Sequence, residues 1–504
     1  MNRRILSIAT ALLYLLFVSC SSTKTVGTNK IRADKDHIVA VALMSGEIVE
    51  FDGKGGRLKV DGTTQEIRGN TKDGKPATIP LADVVTATVQ HTNGDPIIMV
   101  ALVALFVVII VAAASDHNDP PPSNSSCPYV YSFDGSKYVL DAEPLSGAVT
   151  KGLERNDLCC LEQIREHDRH YEILVRNELQ ETQYLDEMKL RCVDHPQGSR
   201  AYTDAGDAIH VIADAVAATA ACDERGVDLR ALIKSEDTIP WQSIMPIDDT
   251  WKDVSLRNEL TFSFPKPADV SRGNLIVRAA TSQWGSIMMR EMMQARGNGL
   301  EKWYSSIDAG GPAMAEMVRF NLREELYFLK LYVREGDQWV QRGWIPGGGP
   351  MAPETRVIPV DLSGVTGDTV TIRLQPPRGY WAFDYLAMSY REIPATASTD
   401  VPLAHARLSD GSDATASMSA ADGTYCEMQH VGDSMVLTFV APMTHVEGEQ
   451  TIFLDARGYY HSQIDETQPE QTALIAEMLK NDGAITRYSL QKFVEYAGQI
   501  ATRR

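Results

Sequence analysis

The sequence predicts a mainly β protein built from several small sheet units in succession. Short runs of β-branched and aromatic residues alternate with polar ones and end at Gly or Asp turns, as in antiparallel strands. The spacing of apolar residues that is typical of a helix occurs in a Met-rich patch and in the carboxyl-terminal region. The 504 residues, 44% hydrophobic and 23% charged, are typical of globular protein and sufficient for about three to four domains. We expect a small barrel, one apolar helix, two or three β-sandwich-like units with a minor helical patch, and a helical tail.

The chain is strongly acidic. It has 48 Lys and Arg residues against 67 Asp and Glu residues, a formal net charge of −19. A surface of this sign repels the phosphates of nucleic acids. We therefore exclude nucleic acid as the principal partner.

The amino-terminal segment has the pattern of a secretory signal. Residues 1–4 are basic, residues 5–18 are almost wholly apolar, and a small residue then precedes Cys20. A cysteine at this position resembles the lipobox of bacterial lipoproteins, which implies that Cys20 is lipidated. We predict a signal peptide at residues 1–19 and a polar tether at residues 20–36. The alternative is an uncleaved signal anchor with an incidental cysteine.

A small β domain and an apolar run follow the tether. Residues 37–95 contain about five short β-rich runs, typical of a small SH3-like or Sm-like barrel. Residues 96–114 contain no charge and span about 27 Å as a helix, enough to cross a bilayer. We predict a transmembrane helix there, with a buried or interface-lying helix as the alternative. Residues 115–126 are a linker rich in Pro, Ser and Asn.

These segments predict a membrane-anchored protein of the bacterial cell envelope. We expect residues 21–95 to be exposed to the periplasm. The side of the membrane that residues 115–504 occupy is undecided, because it depends on whether the apolar run crosses. Besides Cys20 there are six cysteines, an even number compatible with disulfides in an oxidising compartment.

A further motif set starts at residue 126. Ser-Cys-Pro, an aromatic strand, Asp-Gly, Tyr, Glu-Pro and Gly-Ala follow one another, and Val-Asp-His-Pro occupies residues 193–196. This run resembles an element of uncharacterised bacterial envelope lipoproteins, over approximately residues 126–392. The resemblance implies an envelope location and no particular activity, since that family carries none that can be transferred.

An internal repeat organises the remainder of the chain. Positions in two segments match with equal spacing, followed by a shared Leu-Thr-Phe-x-x-Pro run; the positions are Ala221, Gly226, Asp228 and Asp237 in one copy and Ala406, Gly411, Asp413 and Asp422 in the other. We expect a β domain at 127–270, a β-rich unit with a Met-rich helix at 271–395, a β unit at 396–466 that partly repeats 221–265, and a helical tail at 467–504.

Two sets of apolar side chains are candidates for binding. One is a Met stripe at helical spacing, which we interpret as facing the core rather than forming an adaptable partner groove; it comprises Met288, Met289, Met292 and Met293. The other is a possible ligand platform formed by Trp344 and Trp381. The strand period places Trp381 on the same face as Phe383, so we expect Trp381 to join the core and Trp344 to be the more exposed.

No complete catalytic motif occurs in the sequence. The adjacent Cys159 and Cys160 lack the spacing common in zinc sites, and we expect neither a metal nor a cofactor. We predict a non-enzymatic, membrane-anchored scaffold or binding module of the cell envelope, with envelope proteins or polysaccharide as partners. The alternatives are a carbohydrate-binding module for an envelope polysaccharide, using Trp344 and Trp381, and a hydrolase with dispersed carboxylates.

Overall fold

The structure is mainly β, as the sequence predicts, with several separate sheets. The computed structural model describes residues 22–27, 36–43, 48–61, 64–81, 84–91, 128–442 and 448–502. The chain divides into two compact units, Met1–Phe106 and Val107–Arg504. No helix within the described ranges is long and apolar enough to cross a membrane. Cys20 and the apolar run at 96–114 lie outside those ranges.

The described residues of the amino-terminal unit form two small sheets. Their strands are β1 (Ser22–Gly27), β2 (His37–Leu43), β3 (Ile48–Glu50), β4 (Arg57–Asp61), β5 (Thr64–Asn70), β6 (Pro76–Pro80) and β7 (Val84–His91). The orders are β1-β7-β2-β3 and β4-β5-β6, and Ile38, Phe51 and Ile67 belong to one apolar core. The expected closed barrel is not formed by the described strands. Strand β7 pairs with β1, which comes from the segment expected to be a tether, instead of with the second sheet.

The strands and helices of the second unit are numbered here in chain order. The strands are β8 (Tyr129–Phe133), β9 (Tyr138–Ala142), β10 (Arg155–Leu161), β11 (His170–Arg176), β12 (Glu181–His195), β13 (Ser199–Thr203), β14 (Ile209–Ala213), β15 (Val216–Ala217), β16 (Ala220–Asp223), β17 (Trp241–Gln242), β18 (Leu260–Pro265), β19 (Arg272–Thr281), β20 (Phe328–Glu335), β21 (Gln338–Pro346), β22 (Glu354–Asp361), β23 (Thr369–Leu374), β24 (Trp381–Ser389), β25 (Arg391–Ile393), β26 (Ala397–Val401), β27 (Leu403–Leu408), β28 (Cys426–Met428), β29 (Ser434–Val440) and β30 (Glu449–Ser462). The helices are α1 (Arg230–Ile233), α2 (Gln283–Gln294), α3 (Leu300–Asp308), α4 (Gly311–Glu324), α5 (Thr415–Met418), α6 (Thr472–Lys480) and α7 (Ala484–Thr502).

One β-sandwich, sandwich A, is built from the two ends of this unit. Its sheets have the orders β10-β30-β12-β26, with β28 also on β12, and β27-β29-β11-β8-β9. Buried side chains of both sheets join one core cluster, which includes Val130, Ile173, Leu190, Leu437 and Leu454. Alternating burial along β11 and β29 follows from the strand period, which turns every second side chain inward.

A second set of sheets, sandwich B, comes from the chain between β12 and β26. The first sheet has the order β15-β24-β19-β22, with β17 also paired to β24, and continues beyond β22 into β13, β14 and β25. The second sheet has the order β16-β18-β23-β20-β21. Alternate residues of β18, β20 and β23 are fully buried, among them Phe262, Leu331 and Ile372. The boundary expected at 270–271 falls between β18 and β19, and both strands belong to sandwich B.

The two sandwiches repeat each other strand for strand. Helix α5 begins 185 residues after α1, at Thr415 and Arg230, and each helix follows a turn closed by an isolated bridge. The sheet orders also correspond, with β24 in the place of β12 and β19 in the place of β30. The order of the equivalent strands along the chain differs. Strands β8–β12 come first in sandwich A, whereas their counterparts β20–β24 come last in sandwich B. The repeat is therefore circularly permuted.

Each sandwich carries a buried aspartate at a β-bulge of the corresponding strand pair. In sandwich A this is Asp186, which accepts the Gly423 N–H (2.9 Å) and pairs with Arg457 (3.2 Å). In sandwich B it is Asp384, which accepts the N–H of Thr238 (3.2 Å), and burial raises the pKa of its carboxyl. Both aspartates attach the helix-containing segment to the sheet, so the duplication includes side-chain contacts as well as backbone.

The cysteines covered by the structure are all free thiols: Cys159, Cys160, Cys192, Cys222 and Cys426. The disulfides that an even cysteine count permits are therefore absent among these five, and Cys127 lies outside the described residues. Burial raises the pKa of Cys159 well above its usual range, and Cys192 is buried in the core of sandwich A. These thiols pack as small apolar groups.

Candidate functional site

A cavity of about 560 Å³ lies between the helices and the edge of the two sandwiches. We call it the methionine groove, because five methionines line it: Met289, Met292, Met293, Met317 and Met478. They come from α2, α4 and α6. The helical side contributes mostly apolar side chains to its wall, together with Arg296 and Glu316, and β10 and β22 contribute charged ones.

Helix α2 supplies three of the five methionines from one face. Its first turn is capped by Ser282, whose Oγ accepts the Gly285 N–H (2.9 Å). Trp284 is buried and donates from Nε1 to Ser489 Oγ (2.9 Å), which attaches α2 to α7. Of the Met stripe, only Met288 is fully buried in the core. The stripe faces the core only in part, because Met293 also packs against a core cluster while Met289, Met292 and Met293 all line the groove.

Helices α4 and α6 complete the apolar wall through a specific contact between them. Arg323 on α4 donates to the carbonyl oxygens of Met478 and Leu479, both at 2.8 Å. These carbonyls lie at the carboxyl end of α6, where a cation is favourable. The contact holds Met478 and Leu479 against the groove.

The mouth of the groove is unusually apolar for a surface. Val318 is 43% exposed, Leu322 is 38% exposed and Phe328 is 40% exposed, and all three also line the groove. Single exposed apolar residues are common, but three of them lining one cavity are typical of a binding site.

The opposite end of the groove is polar and carries two ion-pair clusters. Arg155 Nε lies 2.7 Å from Asp157 Oδ1, and Arg356 Nη1 lies 3.2 Å from Asp207 Oδ1. Arg356 also pairs with Glu354 at 2.5 Å. Burial raises the pKa of Asp207, while the adjacent guanidinium of Arg356 opposes that rise.

One further carboxylate, Glu143, lines the polar end of the groove. Its Oε2 accepts the backbone N–H groups of Met351 (2.6 Å) and Ala352 (2.7 Å), and the residue is 2% exposed. This part of the groove therefore contains two guanidinium groups and four carboxylates, an excess of negative charge.

The two tryptophans proposed as a platform lie in different environments. Trp381 is fully buried, stacks on Phe383 with ring centroids 5.9 Å apart, and donates from Nε1 to the Glu325 carbonyl (2.8 Å). Trp344 is half-buried, and the ammonium of Lys330 lies 5.6 Å from its ring centroid. The structure does not bring the two indoles together on one surface, and Trp381 cannot meet a ligand from solvent.

Sequence reasoning missed the polar end of the groove. Arg155, Asp157, Asp207, Glu354 and Arg356 come from three separated segments, and none stands in a motif. One available signal was the Met stripe, since flexible thioether side chains are frequent at binding surfaces as well as in cores. Another was the Glu-Pro and Gly-Ala of the run that starts at residue 126, because Glu143 and Gly147 line the groove. No group of residues in the described ranges is arranged to hold a metal ion.

Comparison with known proteins assigns no family to this chain. No family model matches it, and no curated protein matches it. Among solved structures, the Sulfolobus turreted icosahedral virus matches at 9% identity and a TM-score of 0.13, covering 68% of this chain and 99% of the other. The mycobacterial arabinofuranosyltransferase AftD matches at 9% identity and a TM-score of 0.12, covering 95% of this chain and 39% of the other. Superpositions this poor carry no argument about fold or function.

Proposed function

We propose that this protein is a non-enzymatic binding module of the bacterial cell envelope, anchored through Cys20, whose methionine groove holds an apolar or amphipathic ligand. The observation that carries the binding role is the groove itself. Its volume of about 560 Å³ lies within the range of roughly 300–1,000 Å³ typical of small-molecule sites. The anchoring part rests on the lipobox-like segment and on the resemblance to envelope lipoproteins.

The composition of the groove favours binding over catalysis. The carboxylates at its polar end are engaged with arginines or backbone N–H groups, as in the Asp157–Arg155 pair (2.7 Å). A general acid or base must instead reach a reacting group. Burial of apolar ligand surface is worth about 25 cal/mol per Å², so the methionine wall can supply the binding free energy.

The test measures contact between an apolar probe and a groove residue. Trp303 lines the groove, and bromine quenches indole fluorescence on contact. The full-length chain is placed in lipid nanodiscs and titrated with a bromoalkane. A Trp303→Phe variant identifies the contribution of this residue to the quenching. We expect saturable quenching of Trp303 in the native protein.

Two lysine substitutions on one helix form the matched comparison. Met317→Lys places a charge in the groove, whereas Met314→Lys changes a half-buried residue of the same helix that does not line it. We expect quenching to weaken about ten-fold or more for Met317→Lys, since a charge in an apolar site is costly. Equal quenching in both variants, or non-saturable quenching of Trp303, would reject the groove as a binding site.

Carbohydrate binding remains a second candidate because Trp344 is partly exposed and a half-exposed indole can stack on a sugar ring. Trp344→Ala should then weaken retention of the full-length chain on immobilised envelope polysaccharide. Retention unchanged from that of the native protein would eliminate this alternative.

A further inference from the structure

We propose that the ligand of the methionine groove is a single-chain amphiphile whose head group carries an ammonium. Its hydrocarbon chain lies along the methionine wall, and its ammonium lies among the carboxylates at the polar end. This inference rests on the proposed binding function and adds the chemical class of the ligand. It is argued from the volume, the wall and the charges of the groove.

The volume is that of a small-molecule site. The groove holds about 560 Å³, within the range of roughly 300–1,000 Å³ that such sites occupy. One hydrocarbon chain with a compact head fits a cavity of this size.

The wall favours a flexible chain over a rigid planar ligand. Methionine side chains are unbranched and have three rotatable bonds, so five of them can adapt to a chain of variable shape. Of the aromatic rings that line the groove, Trp303 already has the guanidinium of Arg296 4.9 Å from its centroid. The exposed apolar rim at Val318, Leu322 and Phe328 provides an entry path for a chain.

The charges favour an ammonium over a carboxylate in the head group. Four carboxylates and two guanidinium groups line the polar end, and each guanidinium pairs with a carboxylate at 2.7 Å or less. The side chain of Asp207 is 35% exposed, compared with 14% for Glu354. Asp207 is therefore the carboxylate best placed to accept a second cation. An anionic head would add negative charge to an end that already has an excess.

The experiment uses photo-crosslinking in membranes that contain the full-length chain. Three probes share one diazirine-bearing acyl or alkyl chain and end in phosphoethanolamine, a primary amine or a carboxylate. Labelled peptides are identified by mass spectrometry. We expect both ammonium probes to label the peptides containing Met292 and Met317, about ten-fold more than the carboxylate probe, a ratio that corresponds to about 1.4 kcal/mol. The amine probe shows whether the phosphate contributes.

Asp207→Asn is the variant that tests the head-group contact. It removes one negative charge at a partly exposed position and should reduce the preference for the ammonium probes several-fold, with labelling still in the same peptides. Asp400→Asn, an exposed aspartate that pairs with Arg191, is the matched control and should leave the preference unchanged.

The possible outcomes separate this inference from the function on which it rests. Equal groove labelling by all three probes would overturn the ammonium assignment and leave the binding function standing. Labelling outside the groove, with saturable bromoalkane quenching of Trp303 retained, would overturn the amphiphile. Loss of both signals would overturn the inference together with the proposed function.

Discussion

Truncation of Trp381 tests how the core of sandwich B supports the methionine groove. The indole is fully buried, stacks on Phe383 and donates to the Glu325 carbonyl just beyond the end of α4. A Cβ placed on the groove residue Gly347 would lie 3.6 Å from this indole. Trp381 therefore connects the sandwich core, the end of α4 and the part of the groove wall that contains Gly347.

The expected magnitudes follow from these contacts. Trp381→Ala should lower the free energy of unfolding by about 3–5 kcal/mol through lost burial and cavity formation. Trp381→Phe keeps an aromatic ring and removes the Nε1–H donor, which leaves a buried carbonyl without that partner and should cost about 1–3 kcal/mol. Trp344→Ala changes a half-buried residue and should cost about 1 kcal/mol or less.

Urea unfolding of the three full-length variants, followed by circular dichroism, measures these differences. The order of destabilisation should be Trp381→Ala, then Trp381→Phe, then Trp344→Ala. Bromoalkane quenching of Trp303 should persist in Trp381→Phe, since an aromatic ring is kept at position 381 beside the groove residue Gly347. A larger loss of stability for Trp344→Ala than for Trp381→Ala would refute the reasoning.

Three further predictions address the anchor, a buried carboxyl and the repeated aspartate. Cys20→Ala should abolish metabolic labelling of the chain by a fatty-acid probe, and undiminished labelling would exclude lipidation at Cys20. Burial raises the pKa of Glu181 from 4.5 to about 8, so the folded chain holds more protons than the unfolded chain between these values. The free energy of unfolding therefore falls as pH rises through that window, and Glu181→Gln should make the fall shallower by about 1.4 kcal/mol per pH unit in urea titrations. Asp186→Ala leaves the Gly423 N–H without this acceptor, while Arg457 keeps Glu154 as a partner, and should cost about 1–3 kcal/mol in unfolding free energy, measured by the same titration.

Exposed carboxylates supply the controls for the last two predictions. Glu427→Gln alters an exposed residue of β28 and should leave the pH dependence of stability unchanged. Asp400→Ala removes a partner of Arg191 in a pair that is largely exposed, and should cost about 1 kcal/mol or less. If the unfolding free energy of Glu181→Gln falls with pH as steeply as that of the native protein, Glu181 does not titrate in this window. Equal costs for Asp186→Ala and Asp400→Ala would show that the bulge contact is not stabilising.

Local features of the sequence determine the β class and the positions of the repeated turns. Alternation of apolar and polar residues needs only the geometry of the strand, and Asp-Gly turns need only neighbouring residues. The matched segments beginning at Ala221 and Ala406 accordingly have the same strand, turn and short helix in the same order. The strand pairing does not place the two Leu-Thr-Phe runs in equivalent positions. Ala221 pairs with Phe262 and Ala406 with Leu437, which makes Leu437 the structural counterpart of Phe262.

Only the tertiary structure decided the strand partners, the circular permutation and the groove. Strand β7 has the same sequence whether it closes a barrel or pairs with β1, because its backbone hydrogen-bonding groups accept either partner. The polar end of the groove combines Asp157, Asp207 and Arg356, which lie far apart along the chain and meet only when the sheets assemble. Periodicity places Met289 and Met292 on one helical face but does not say whether protein or a cavity lies opposite. That depended on where α4 and α6 pack, and the Arg323 contacts to Met478 and Leu479 hold these two helices together.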